Sequence, residues 1–128
     1  MKNKKIMIIG GTGALGKQLT NRWDENNDIL IFSRNEHKQE DMKRIYPKPL
    51  YRIGDVKDKE SILRSMYEFK PDVIVNTAAL KTVWVAQDNP YETILTNIVG
   101  HQYLIDCVRE CRHQIESLMF ISTDKACS

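Results

Sequence analysis

Lys5-Ile6-Met7-Ile8-Ile9-Gly10-Gly11-Thr12-Gly13-Ala14-Leu15-Gly16 is the stretch that decides the fold. Ile6 to Ile9 is an apolar run that no other in the chain exceeds, bounded by Lys5 and by glycines. Such a short unalternated run suits a strand buried on both faces. Leu15, Leu19 and Trp23 then recur at helical spacing. Between strand and helix, Gly10, Gly13 and Gly16 are spaced G-x-x-G-x-x-G. In this setting one glycine makes a tight turn, one lets the backbone approach a pyrophosphate, and one lets the helix sit close to the strand. The free N–H groups and positive dipole end of the helix then face the phosphates. A merely flexible turn is the other reading, but a strand before and a helix after favour dinucleotide binding.

The pattern continues outward from this unit. Apolar runs recur at Asp28–Phe32, Leu50–Ile53, Asp72–Asn76 and Leu118–Ser122. Between them lie helical stripes. Ile62, Leu63, Met66 and Phe69 make one, opened by Asp58 and Ser61. Ile94, Leu95, Ile98, Tyr103, Leu104 and Val108 make another, within a segment from Asn89 to about His113. Arg34–Arg44 is highly charged, with Met42 and Ile45 as its few apolar points, and predicts only a short, poorly defined helix. Strand–helix alternation predicts right-handed parallel βαβ units. The fold class is therefore α/β, a doubly wound parallel sheet of about five strands in the order 3-2-1-4-5.

Composition is consistent with this. The 128 residues suit one domain, and 41% hydrophobic with 28% charged residues excludes a disordered chain. A net charge of +2 argues against a dedicated nucleic-acid or anionic-membrane binder. No apolar run approaches the roughly 20 residues of a spanning helix, and the run behind the basic Met1–Lys5 is too short for a secretory signal. A cytoplasmic location is the expectation. The 3 cysteines, Cys107, Cys111 and Cys127, predict no disulfide framework. Cys107 and Cys111, at i,i+4, are read as packed thiols, and no zinc-ligand spacing accompanies them.

The second strand ends in Ser33-Arg34. A site that prefers NAD usually has an acid here for the ribose 2′-hydroxyl. No acid is present, and the fork of Arg34, with help from Lys38, can pair with a 2′-phosphate. NADP is expected rather than NAD, the alternative being that Arg34 is a solvated charge beside an NAD site of another design. Gly54-Asp55-Val56 ends the third strand. Asp55 can accept from an adenine amino group while Val56 packs on the ring, or Asp55 can simply cap the following helix.

Taken together, the glycine motif, Gly54-Asp55-Val56 and Asn76-Thr77-Ala78-Ala79 resemble the extended short-chain dehydrogenase/reductase superfamily. More specifically, Phe32–Gln39, Ala78–Lys81, Asn89–Thr93, Thr96–Gly100 and Ile121–Ala126 resemble the UDP-N-acetylglucosamine 4,6-dehydratases of bacterial polysaccharide and flagellin-glycan synthesis. Asp124-Lys125 straight after Ser122-Thr123 is the most diagnostic part. The resemblance implies that Gly10, Thr12, Gly13, Ala14, Leu15 and Gly16 form the cofactor loop. It makes Ser33, Arg34 and Lys38 the NADP-phosphate contacts, and Asp55 and Val56 the adenine pocket. Ala78, Ala79 and Lys81 would run along the cofactor into the substrate site, with Asn97 supporting it from behind. Thr123 would hold the sugar C4 oxygen, and Asp124 and Lys125 would be acid and base of the elimination. The substrate implied is a UDP-sugar, UDP-N-acetylglucosamine in the first place. Without the resemblance, Asp124 and Lys125 read as an ordinary surface pair.

The sequence departs from the family at Thr82-Val83-Trp84, where His-Val-Pro is usual, and at Gln87, where Glu is frequent. The family's catalytic Tyr (Met in some members) and the Lys four residues after it fall beyond Ser128. So does the substrate lobe. The expectation is an NAD(P)-binding domain over residues 1–128 that does not turn over alone and whose fifth strand offers an edge to a second copy or a completing partner. A non-catalytic NADP-binding module and a fragment of a related nucleotide-sugar epimerase are the alternatives.

Overall fold

The computed structural model describes residues 1–77, 100–111 and 115–120. In chain order the elements are β1 (Lys5–Ile9), α1 (Ala14–Trp23), β2 (Asp28–Ser33), α2 (Glu36–Ile45), β3 (Leu50–Ile53), α3 (Lys59–Phe69), β4 (Val73–Asn76), α4 (Gly100–Glu110) and β5 (Ser117–Phe120). The strands form one parallel sheet in the order β3-β2-β1-β4-β5. This is the expected doubly wound arrangement.

Side-chain parity along the strands builds the two layers. Met7, Ile9, Leu30, Phe32 and Ile74 point to one face and pack with Ile62, Met66 and Phe69 of α3, with Leu104 and Cys107 of α4 and with Cys111 just after it. Ile6, Ile8, Ile29, Ile31, Val73 and Val75 point to the other, with Met42 of α2 and the half-buried Leu19 and Trp23 of α1. Each such aliphatic side chain contributes about 1.5–3 kcal/mol on full burial. Because β1 and its neighbours are covered on both faces, their sequences show apolar runs without alternation.

The strand starts are fixed by Asp72. Its carboxylate accepts from the Lys5 N–H at 2.8 Å, and its carbonyl accepts from Glu116 N at 2.6 Å. Asp72 thus precedes β4, which runs from Val73. Across the sheet, Ile9 sits opposite Phe32 on one side and Asn76 on the other. The carboxyl ends of β1, β2 and β4 therefore end level, at the edge where open α/β sheets bind ligands.

The Arg34–Arg44 stretch differs from expectation. It holds a full helix of 10 residues, α2. The Asn35 side chain accepts from Lys38 N at 3.0 Å, Glu36 lies in the first turn, and Lys43 and Arg44 lie in the last. Those charges complement the helix dipole. Its buried residues are Gln39 and Met42, whereas Ile45 is 67% exposed. Among the described residues no helix is long and apolar enough to cross a membrane.

Candidate cofactor-binding site

The site is built where β1 gives way to α1. Gly10 takes the left-handed conformation, φ 76°, which an L side chain reaches only at a cost of about 1–2 kcal/mol. Its N–H donates to the Phe32 carbonyl at 2.8 Å, and the Gly13 N–H donates back to the Gly10 carbonyl at 3.2 Å. Gly13 is the N-cap of α1 and supplies no side-chain cap. The orphan N–H groups of a first helical turn then look outward for acceptors.

Gly16 allows the close approach of helix to strand. A Cβ there would stand 2.3 Å from the Gly11 carbonyl oxygen and 2.4 Å from its Cα. Gly11 in turn lies on Ile31, with space for no side chain: a Cβ would meet Ile31 Cγ2 at 2.9 Å. From the far side, the Thr77 hydroxyl donates to the carbonyls of Ile9 at 2.7 Å and Gly10 at 3.0 Å. The turn is held between β2, β4 and α1.

Beside it opens a cavity of about 840 Å³, within the usual range for small-molecule sites of about 300–1,000 Å³. Gly10 and Thr12 bound it on the loop side, and Ser33, Arg34 and Lys38 on the β2–α2 side. Asp55 and Val56 bound it beyond β3. These seven of the sequence-predicted residues line one space. Gly13, Ala14, Leu15 and Gly16 stand beside it, in the cap and first turn of α1.

Ser33 is buried, with its Oγ accepting from Gln39 Nε2 at 2.8 Å. Arg34 is largely exposed and reaches Asp55 Oδ2 at 3.9 Å. The other Asp55 oxygen accepts from Lys57 N at 2.9 Å. The cap of α3 is Asp58, whose carboxylate accepts from Ser61 N at 3.3 Å. Asp55 is therefore no helix cap and keeps its carboxylate at the cavity. Val56 is half-buried against the core.

Some contributors were not visible in the sequence pattern. Asn35, Glu36, His37 and Glu40 also line the cavity, so its charge is mixed rather than purely basic. Gly54 packs under Phe32, where a Cβ would fall 2.4 Å from Cζ. Its place just before Asp55 was the available signal. Cys107 and Cys111 are buried free thiols in the α3–α4 layer, away from the site. Burial pushes the Cys107 thiol up to about 12, although the Lys59 ammonium opposes this. Among the described residues, no three His, Cys, Asp or Glu side chains cluster as metal ligands. Ala78, Ala79, Lys81, Asn97, Thr123, Asp124, Lys125 and Cys127 lie outside the described residues.

The family described as "Polysaccharide biosynthesis protein" matches residues 6–128. The UDP-N-acetylglucosamine 4,6-dehydratase (inverting) of Campylobacter jejuni is 43% identical over 100% of this chain and 39% of its own length. A UDP-glucose 4-epimerase of Rickettsia felis is 37% identical over 97% of this chain and 38% of its own. The chain thus spans about two fifths of these relatives. Among solved structures, Pen from Bacillus thuringiensis superposes with a TM-score of 0.81 at 32% identity, covering 93% of this chain and 37% of that one. The Bordetella bronchiseptica enzyme WbmG in complex with NAD superposes at 0.78 with 22% identity, covering 93% and 37%, a likeness of fold alone. The match over residues 6–128 and the identity across the whole chain establish that this chain belongs to the polysaccharide biosynthesis protein family.

Proposed function

We propose that the chain is the NADP-binding part of a nucleotide-sugar 4,6-dehydratase acting on UDP-N-acetylglucosamine. The observation that carries the cofactor reading is the end of β2. There Ser33 and Arg34, with no acid at the strand end itself, share one cavity with Gly10, Thr12 and Asp55. The chain's residues fit a phosphorylated dinucleotide. The left-handed Gly10 turn and the Gly11–Gly16 contact keep side chains out of the loop, so a pyrophosphate can approach the backbone. The Arg34–Asp55 pair is loose and exposed, so the guanidinium is free to turn onto a 2′-phosphate, where a bidentate contact is strong. Asp55 then accepts from the adenine amino group and Val56 lies against the ring.

The reaction reading is supported by the 43% identity to the Campylobacter jejuni dehydratase and by the Ser122–Lys125 segment. A bound NADP supplies a hydride acceptor for sugar C4 and a donor for C6. Thr123 Oγ1 holds the C4 oxygen, whose hydroxyl proton passes to the catalytic Tyr that the family resemblance implies as the C4 hydride departs. Lys125 Nζ takes the C5 proton, acidified by the C4 ketone, and the Asp124 carboxyl protonates the departing C6 hydroxyl, which leaves as water. Such roles need a lowered amine pKa and a raised carboxyl pKa. The 37% identity to the Rickettsia felis epimerase supports a second reading, inversion at C4.

Titration of the purified protein with NADPH and NADH tests the cofactor. NADPH is expected to bind at least about tenfold tighter, and Arg34→Ala to remove most of that preference, as loss of a charged hydrogen-bonded pair predicts. Equal affinities in the unaltered protein would overturn it. Product analysis with UDP-N-acetylglucosamine separates a 4-keto-6-deoxy sugar from a C4 epimer.

A further inference from the structure

We infer that Gln39 is a positioning residue that aims the Ser33 hydroxyl at a 2′-phosphate and so helps set the choice between phosphorylated and unphosphorylated dinucleotide. The inference rests on the NADP reading above and deepens it. Gln39 lies in α2, 5% exposed, with its side chain turned inward between the ends of β2 and β3. Its Nε2 donates to the Arg52 carbonyl at 2.8 Å and to Ser33 Oγ at 2.8 Å, with the Ser33 carbonyl farther off at 3.4 Å.

The Arg52 carbonyl fixes the chemistry. A carbonyl only accepts, so the atom facing it must be the amide NH2 and not the amide oxygen. The same nitrogen faces Ser33, and its second hydrogen goes there. Ser33 Oγ is therefore an acceptor in this contact, and its own hydrogen is not spent on Gln39. Among the described residues no group accepts that hydrogen, while Ser33 lines the cavity next to Arg34. A hydroxyl that already accepts is polarised toward donation. Its natural partner is an anionic oxygen lying between Ser33 and the Arg34 guanidinium. Without the Gln39 amide, the part-buried Arg52 carbonyl would lose this donor, and Ser33 Oγ would lose the N–H that holds it in place.

Gln39→Met keeps the length of the side chain and removes both donors. NADPH and NADH binding are measured for the unaltered protein, Gln39→Met, Ser33→Ala and the double variant. Gln39→Met is expected to weaken NADPH about tenfold and NADH by less than about twofold, and to add little once Ser33 is alanine. Equal loss for both nucleotides, or an undiminished loss in the Ser33→Ala background, overturns the positioning role. Lack of NADPH preference in the unaltered protein instead overturns the cofactor reading, and the inference with it. Should Gln39→Met fail to fold, the side-chain amide resonances of Gln39 in the unaltered protein decide. They are expected to move on saturation with NADPH and to stay nearly in place with NADH, and equal displacement by both overturns the inference.

Discussion

Gly16 shows how little room the site leaves at the level of one residue. The atoms a new Cβ would meet are the backbone oxygen and Cα of Gly11, at 2.3 and 2.4 Å. Backbone cannot rotate aside as a side chain can, so α1 must retreat from β1. Gly11 has no slack to give, because it rests on Ile31 and Ile8. Thr20, one turn along α1, donates to the Gly16 carbonyl at 2.8 Å and shares the buried face of the helix. Gly16→Ala is therefore expected to cost about 1–3 kcal/mol or more, the range for overpacking, and to weaken dinucleotide binding through the displaced first turn. Urea unfolding and nucleotide titration of the same variant check it. Unchanged stability would mean that α1 does not seat on the loop as described. At Gly10 the obstacle is different. The φ of 76° is a conformational demand, and alanine there costs its strain.

Among the elements, α2 carries several cavity-lining residues on little apolar support. Gln39 and Met42 are its only buried positions, so tertiary packing holds it weakly and its cap matters more. Asn35→Ala is expected to cost about 1 kcal/mol and to speed amide exchange in the first turns of α2. NADPH affinity should fall with it, since Lys38 sits in that first turn. The capped Asp58 end of α3 offers the control, because α3 also buries Ile62, Ser65, Met66 and Phe69. Asp58→Ala should cost similar stability and leave nucleotide affinity alone. This contrast explains what the sequence disclosed. β1, β2 and the glycine loop are legible because their signals are local: an apolar run, then glycines at positions 10, 13 and 16. The order of the sheet follows from alternation together with the dinucleotide-binding glycine motif. α2 was under-read because its inward face is half polar, and Gln39 bonds to Arg52, 13 residues away. The tight packing at Gly11 and Gly54 has no local signal, because it comes from Ile31 and Phe32 across the sheet. Asp55 was left open between cap and ligand contact until Asp58 proved to be the cap.

At the scale of the whole molecule, both layers contain a titratable group that folding keeps protonated. Cys107 is fully buried between α3 and α4 on one face, with its Sγ 3.8 Å from the Lys59 carbonyl. Tyr51 packs in the layer on the other face and donates its hydroxyl to the Tyr46 carbonyl at 2.6 Å. Burial pushes each up to about 12, from 9.0 for the thiol and 10.0 for the phenol. In the unfolded chain the thiol gives up its proton near 9 and the phenol near 10, whereas the folded protein retains both until about 12. Across that window the unfolded state binds fewer protons, so stability falls as pH rises. The contribution is complete below about pH 9 and is lost progressively toward 12. Lys4 and Lys59 act in the same direction at higher pH, because hydrogen bonds to Glu116 and Glu110 raise their pKa values. The urea midpoint is therefore expected to be nearly flat from pH 7 to about 8.5 and to decline above it. Since one group lies in each layer of a shared sheet, the loss should appear as a single cooperative transition by both near-ultraviolet and far-ultraviolet dichroism. Cys107→Ala should flatten the early part of the decline, and the native thiol should react with alkylating reagents only as the protein unfolds. A midpoint that rises between pH 8.5 and 10.5, or a Cys107 that alkylates readily in the folded protein at neutral pH, would contradict the buried, protonated assignment.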